Sequence, residues 1–254
     1  MNTIRTRQRG LSIISLLIAL TIGVFLLAGL FSLWLQTRNT FNAQGSLAQL
    51  QDNERIATTT MANALQSAGY YPLIDNYSTS PPSPLLTLSG ALPVAGDFTA
   101  AGQFIYGTHG TNDTLEVRFM SDGNGLDCQG QQQADKTLVV NEYSIDTNGN
   151  LVCTVTTSTY GSTTTSTSSA QTIVPGVSNL LVQYGVDPGN TQSVTQYMTA
   201  DQVTSGTDWS LVRSVNLQLT FTNPLAGSAA NGAGQNTTVP MISRVVVLPQ
   251  QSPL

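Results

Sequence analysis

The sequence predicts an α+β protein: one very long N-terminal helix followed by an antiparallel β-sheet domain. Three observations carry that prediction. Leu11 to Leu35 is an apolar run without a charged residue. Beyond it, apolar residues recur at helical spacing as far as Ala68. From Thr114 onward, short stretches alternate apolar and polar side chains with β-branched emphasis, broken by Gly, Asn and Pro.

The apolar run reads LSIISLLIALTIGVFLLAGLFSLWL. About 20 such residues span a bilayer as a helix, and a helix is what satisfies backbone groups in hydrocarbon. Arg5, Arg7 and Arg9 precede it. The excess of positive charge on that side places the N-terminus in the cytoplasm. A cleaved secretory signal would have a shorter apolar core and a small-x-small site directly after it. Here the run ends in Gln36-Thr37-Arg38-Asn39 instead. Leu47, Leu50, Ala57, Met61, Ala64, Leu65 and Ala68 then form one apolar face. Gly69 offers a helix stop and Pro72 prevents resumption. The helix is therefore expected over 11–69, with 11–35 in the membrane and a length of roughly 85 Å. Gly23 and Gly29 would permit close helix contact or local unwinding, or are ordinary membrane-helix glycines.

Residues 70–254 are expected to form a β-rich domain. Strands are predicted within 114–120, 138–145, 151–156, 180–184, 214–221 and 242–248. Asn148-Gly149, between two of these, is a hairpin signal. Three stretches read as loops: 78–84, rich in Ser and Pro; 156–172, nearly all Thr and Ser; and 223–238, rich in Gly, Ala and Asn. The expected layout is one sheet packed on the amphipathic half of the helix.

Only 9% of residues are charged, and the net charge is -5. A folded part without a basic patch lacks the electrostatic footprint of nucleic-acid binding. Cys128 and Cys153 are an even pair in an exported chain, so a disulfide is expected. His109 is the single histidine, and no nucleophile elbow, paired-carboxylate motif or phosphate-binding glycine loop accompanies it. The chain is thus expected to be non-enzymatic and to need no cofactor. Calcium is the remaining metal alternative. Asp146, Asn148 and Asn150 have the oxygen spacing of half a calcium loop, and Asp122, Asn124 and Asp127 cluster. The competing reading is that turns select the same residues for backbone reasons.

Arg9-Gly10 followed by Leu11-Ser12-Ile13-Ile14 and the apolar helix resembles a type IV prepilin signal. The resemblance implies a cytoplasmic leader of residues 1–10, cleavage between Gly10 and Leu11 by a prepilin peptidase, and N-methylation of Leu11. Further stretches resemble minor pilins of the PilW type: Leu50 to Arg55, Gln66 to Tyr70, Asn150 to Cys153, Gly176 to Leu180, Gln183 to Asp187, Trp209 to Val215, and the strand near Arg244. The fold would then be pilin-like. The function would be to prime type IV pilus assembly, at or near the tip. Expected partners are other minor pilins, the major pilin, inner-membrane pilus assembly proteins, the peptidase and a large tip adhesin. The protein would sit in the bacterial inner membrane before assembly, then in the periplasm and the extracellular pilus. One departure is Ser15, where most members of the family carry the glutamate that pairs with a neighbour's N-terminus. Serine avoids burying a carboxylate but cannot make that pair, which favours a subunit placed once. Two rivals stay open: a minor pseudopilin of a type II secretion system, and a signal-anchored periplasmic binding or adhesive protein.

Overall fold

The structure is a computed structural model. It describes residues 13–72, 87–191, 193–206, 208–226 and 235–249. Helix α1 runs without interruption from Ile13–Gln66, 54 residues or about 80 Å. Gly69, at φ 75°, ends it as its sequence position predicts. The chain then turns alongside residues 118–120, with the Gly69 N–H donating to the Arg118 carbonyl and the Met120 N–H to that of Tyr70.

A short helix α2 (Leu88–Ala91) precedes ten strands: β1 (Ile105–Thr108), β2 (Thr114–Asp122), β3 (Asp135–Ile145), β4 (Asn150–Thr159), β5 (Thr165–Thr167), β6 (Gln171–Pro175), β7 (Val177–Val186), β8 (Gln196–Met198), β9 (Val212–Phe221) and β10 (Ile242–Val247). Helix α3 (Ala200–Gly206) and a single 3-10 turn (Trp209–Leu211) lie between β8 and β9. All six predicted strands are present, and each is extended or adjusted by a few residues.

The α+β class is as expected, but the single sheet is not. Two antiparallel sheets form: one ordered β1-β2-β3-β4-β5 with β6 also paired to β4, the other ordered β10-β9-β7-β8. The last turns of α1 seal the junction between them, touching β6, β9 and β10. Ala57, Met61, Ala62, Ala64, Leu65 and Ala68 are buried there with Leu115, Tyr143, Leu180, Leu217 and Phe221. The buried stripe starts nearly three turns later than the sequence suggests, at Ala57: Leu47 remains exposed and Leu50 is only partly covered.

The stretch 156–172 is not simply a loop. β4 continues through Thr159 and the chain returns as β5, with Thr156 opposite Thr167 and their hydroxyls 3.0 Å apart. Threonine is β-branched and holds an extended backbone without burial. Only the turn at 160–164 and the link at 168–170 are irregular, although β5 is exposed throughout. The 223–238 segment is pinned at its neck by the Asn223 N–H on the Thr237 carbonyl. The predicted loop at 78–84 lies outside the described residues.

Candidate functional site: a bare helix above a stapled sheet

Among the described residues, none packs over the first half of α1. Every large apolar side chain from Ile13 to Leu35 is exposed, Phe25 to 81%. An apolar surface of this extent is not left in water; lipid or other apolar helices must cover it. The helix is long and apolar enough to cross a membrane. Its apolar run ends in an interfacial pair, with Phe31 stacked on Trp34 and the Arg38 guanidinium 5.6 Å from the Trp34 ring centre. Thr21 hides its hydroxyl by donating to the Ile18 carbonyl at 2.9 Å. Ser15 sits on the exposed surface of the first described turns. Gly10 and Leu11 lie outside the described residues.

Around Asn39 to Ser46 the same helix is mostly polar and exposed, with Phe41 an exposed apolar exception, and it then enters the domain. One element therefore carries two unlike surfaces. Asn53 marks the entry, its amide donating to the Pro175 carbonyl at the end of β6.

Cys128 and Cys153 are bonded, with Cα atoms 6.3 Å apart. The bridge fastens the 123–134 loop to β4. That loop covers the far end of the sheet face on which Phe119, Val139 and Val155 cluster. Polar contacts fix it independently. The Cys128 N–H donates to Asn141 Oδ1, and Gln129 Nε2 donates to the Cys153 and Ser169 carbonyls.

The residues of the calcium alternative are spent on turns. Asp146 Oδ1 accepts the N–H groups of Asn148 and Asn150, and Oδ2 accepts the Asn150 side-chain amide. Those bonds hold the Asp146 carboxyl below its usual pKa, Asn150 contributing most. Asp122 caps Asn124 N–H and takes the Tyr70 hydroxyl. Asp127 accepts the N–H groups of Gln129 and Gln131 and the Gln133 amide. These are Asx-turn devices. Among the described residues no group of three His, Cys, Asp or Glu side chains is placed to hold a metal.

His109 is likewise a positioning group. Its Nδ1 lies 2.8 Å from Asp113 Oδ1, and Asp113 Oδ2 accepts the Val182 N–H at 2.7 Å. Asn179 donates to the Thr111 carbonyl beside them. The β1–β2 hairpin tip is thus tied to β7, and this joint couples the two sheets. No local motif marks Asp113, because its role depends on a partner strand 69 positions away.

Trp209, in one of the stretches noted for its resemblance, covers the open edge of β1. It meets Tyr184 edge-on at 4.8 Å and Tyr106 at 5.4 Å between ring centres.

Residues 142–246 match the family model described as Type IV Pilus-assembly protein W. Among solved structures, a type IV-like pilin from Thermus thermophilus resembles the chain with a TM-score of 0.41 and 14% identity, over 79% of this chain and 96% of that one. A search of the curated proteins returns no match. From within β3 to β10, then, residues 142–246 match the model of PilW type IV pilus-assembly proteins, the family that the downstream stretches resemble, while the N-terminal motif resembles a type IV prepilin signal.

Proposed function

We propose that this chain is a minor pilin of the PilW type, a non-enzymatic subunit that takes part in priming type IV pilus assembly at or near the tip. The observation that carries the reading is the continuous α1: fully bare and apolar over its first turns, yet built into the core of the matched domain over its last. Such a helix suits a subunit that waits in a bilayer and then exchanges lipid for neighbouring helices without refolding its head. Cleavage falls between Gly10 and Leu11, and Leu11 is methylated. Ser15 needs no buried partner charge, so the subunit tolerates a place where no neighbour supplies one. The head meets the other minor pilins, the major pilin and a tip adhesin through its sheet edges and loops. The inner-membrane assembly proteins act on the helix.

Mass spectrometry of the protein from cells with and without the peptidase tests this directly. The expected N-terminus is methylated Leu11 with the peptidase and the intact leader without it. An unprocessed chain in both strains overturns the reading. Immunogold labelling of sheared pili tests the position: label confined to ends supports a tip subunit, and label along the shaft refutes it.

A further inference from the structure

Between Leu11 and Gln51 the chain carries one charged residue, Arg38. It stands exposed on α1 one turn past Trp34, and its guanidinium lies 5.6 Å from the centre of that ring. Among the described residues no carboxylate pairs with it. The next acid along the chain is Asp52, and Arg55 already holds that carboxylate at 2.7 Å. The neighbouring hydroxyls are turned inward: Thr37 donates to the Leu33 carbonyl and Thr40 to that of Gln36. Arg38 is thus the one charged donor at this level of the helix. Its five N–H groups form a rigid fork whose shape matches a phosphate.

Helix geometry sets the height of that fork. Ile13 to Trp34 rises about 32 Å, close to the roughly 30 Å of a bilayer's hydrocarbon core. Arg38 lies about 6 Å further on, within a headgroup layer about 5–7 Å deep on each side. Side chains on a helix lean toward its N-terminus, here back toward the bilayer, and the contact with Trp34 shows Arg38 doing so. The guanidinium therefore comes to the depth of the lipid phosphates while its stem lies beside the indole. The rest of the chain supplies no competing attraction. Five basic residues against 14 acids follow Arg38, so an anionic surface repels the head.

We propose that Arg38, with Trp34 beneath it, binds the phosphate of a phospholipid headgroup on the outer side of the membrane and so fixes the depth at which the subunit waits. This rests on the membrane reading of α1 given above. The apolar surface holds the helix in the bilayer but leaves it free to slide and tilt. A charge-assisted contact at one level removes that freedom. The stretch from Arg38 to Leu50, the first residue packed against the core, then holds the head about 18 Å clear of the phosphates. The contact is given up when the helix leaves the bilayer.

The test uses the full chain, wild type and Arg38→Gln, reconstituted in vesicles of phosphatidylcholine and in vesicles of digalactosyldiacylglycerol, a bilayer lipid without phosphate. Each carries an uncharged fatty ester with a nitroxide either near the headgroup or near the chain end. Trp34 is the fluorophore within reach of the nitroxides, and Trp209, nearly buried in the head, gives a constant background. The readout is the ratio of shallow to deep quenching. In phosphatidylcholine that ratio should fall by about twofold or more in Arg38→Gln, as the helix slides or tilts and Trp34 sinks. In the galactolipid, wild type and variant should give the same ratio. A ratio that does not fall in phosphatidylcholine overturns the proposal, and so does an equal fall in both lipids. Absence of quenching from either depth overturns the membrane reading of α1 itself, and the proposal with it.

Discussion

Removing the disulfide should weaken the sheet domain without reshaping it. The perturbation is Cys128→Ala with Cys153→Ala, or reduction of the wild type. The bridge closes a loop with a sequence separation of 25. In the chain-entropy model such a closure restricts the unfolded chain by about 3.5 kcal/mol at 25 °C. The native loop keeps its other ties: Gln129 on Cys153 and Ser169, Asn141 on the Cys128 N–H, and Ser121 on the Gln133 carbonyl. The cost therefore falls on the unfolded state and leaves the folded one intact. At about 2–4 °C per kcal/mol for a domain of this size, the melting midpoint should drop by roughly 7–14 °C. Near-UV circular dichroism during heating, on the full chain in micelles, reads both quantities. A midpoint shift under about 3 °C would refute the entropic argument. Loss of the near-UV signature at 25 °C would refute the claim that hydrogen bonds hold the loop by themselves.

Three further outcomes follow from the core and the outer face. Met61→Ala empties a fully buried site between α1 and both sheets and should cost about 2–5 kcal/mol in urea unfolding, while Leu47→Ala, on the exposed side, should cost under about 1 kcal/mol. Tyr184 buries a hydroxyl that has no hydrogen-bond partner among the described residues, against Gly107, so Tyr184→Phe should leave stability unchanged or raise it by about 1 kcal/mol; a loss above about 1 kcal/mol would reveal a partner. Glu116 has a folded pKa raised from 4.5 to about 7, so its protonated form is favoured by folding. That contribution is fully present below the unfolded value, falls as pH rises between the two, and is lost above about pH 7. Urea midpoints should decline across that window, and Glu116→Gln should flatten the decline.

Most of α1 was legible because both of its surfaces are written in local spacing. An uncharged run and a three-four repeat need no knowledge of the rest of the chain, and Gly69 marks its own turn. The strands around Val117, Val139 and Leu217 were legible for the same reason, and so was the turn at Gly149. The division into two sheets was not. Which strand pairs with β7 depends on partners such as Leu219 and Met198, which no local pattern identifies. β1 is four residues long and interrupted by Gly107, a glycine required because a Cβ there would collide with the Tyr184 hydroxyl and the Thr114 carbonyl. β5 escaped notice because an exposed ribbon needs no apolar residue. Of the candidate site, the apolar helix and the cysteine bridge could be read directly. Arg118 and Glu116 could not, since in sequence both look like ordinary outward positions of an alternating strand. Arg118 is buried because the carbonyls of Leu92, Pro93, Ala100 and Gln103 close over its guanidinium, and Glu116 lies half-buried two residues along the same strand.

The unbroken α1 also has a mechanical consequence. No proline interrupts Ile13–Gln66, and only Gly23, Gly29 and Gly45 soften it. From Ile13 to Leu50, the first of its residues packed against the core, it forms a free arm of about 56 Å. A tilt of about 5° at the membrane end would carry the head sideways by roughly 5 Å, about the spacing of two β-strands. The orientation imposed on the apolar end thus aims the whole head, and a small change of angle among packed helices reappears at the outer surface as a displacement large enough to make or break a contact.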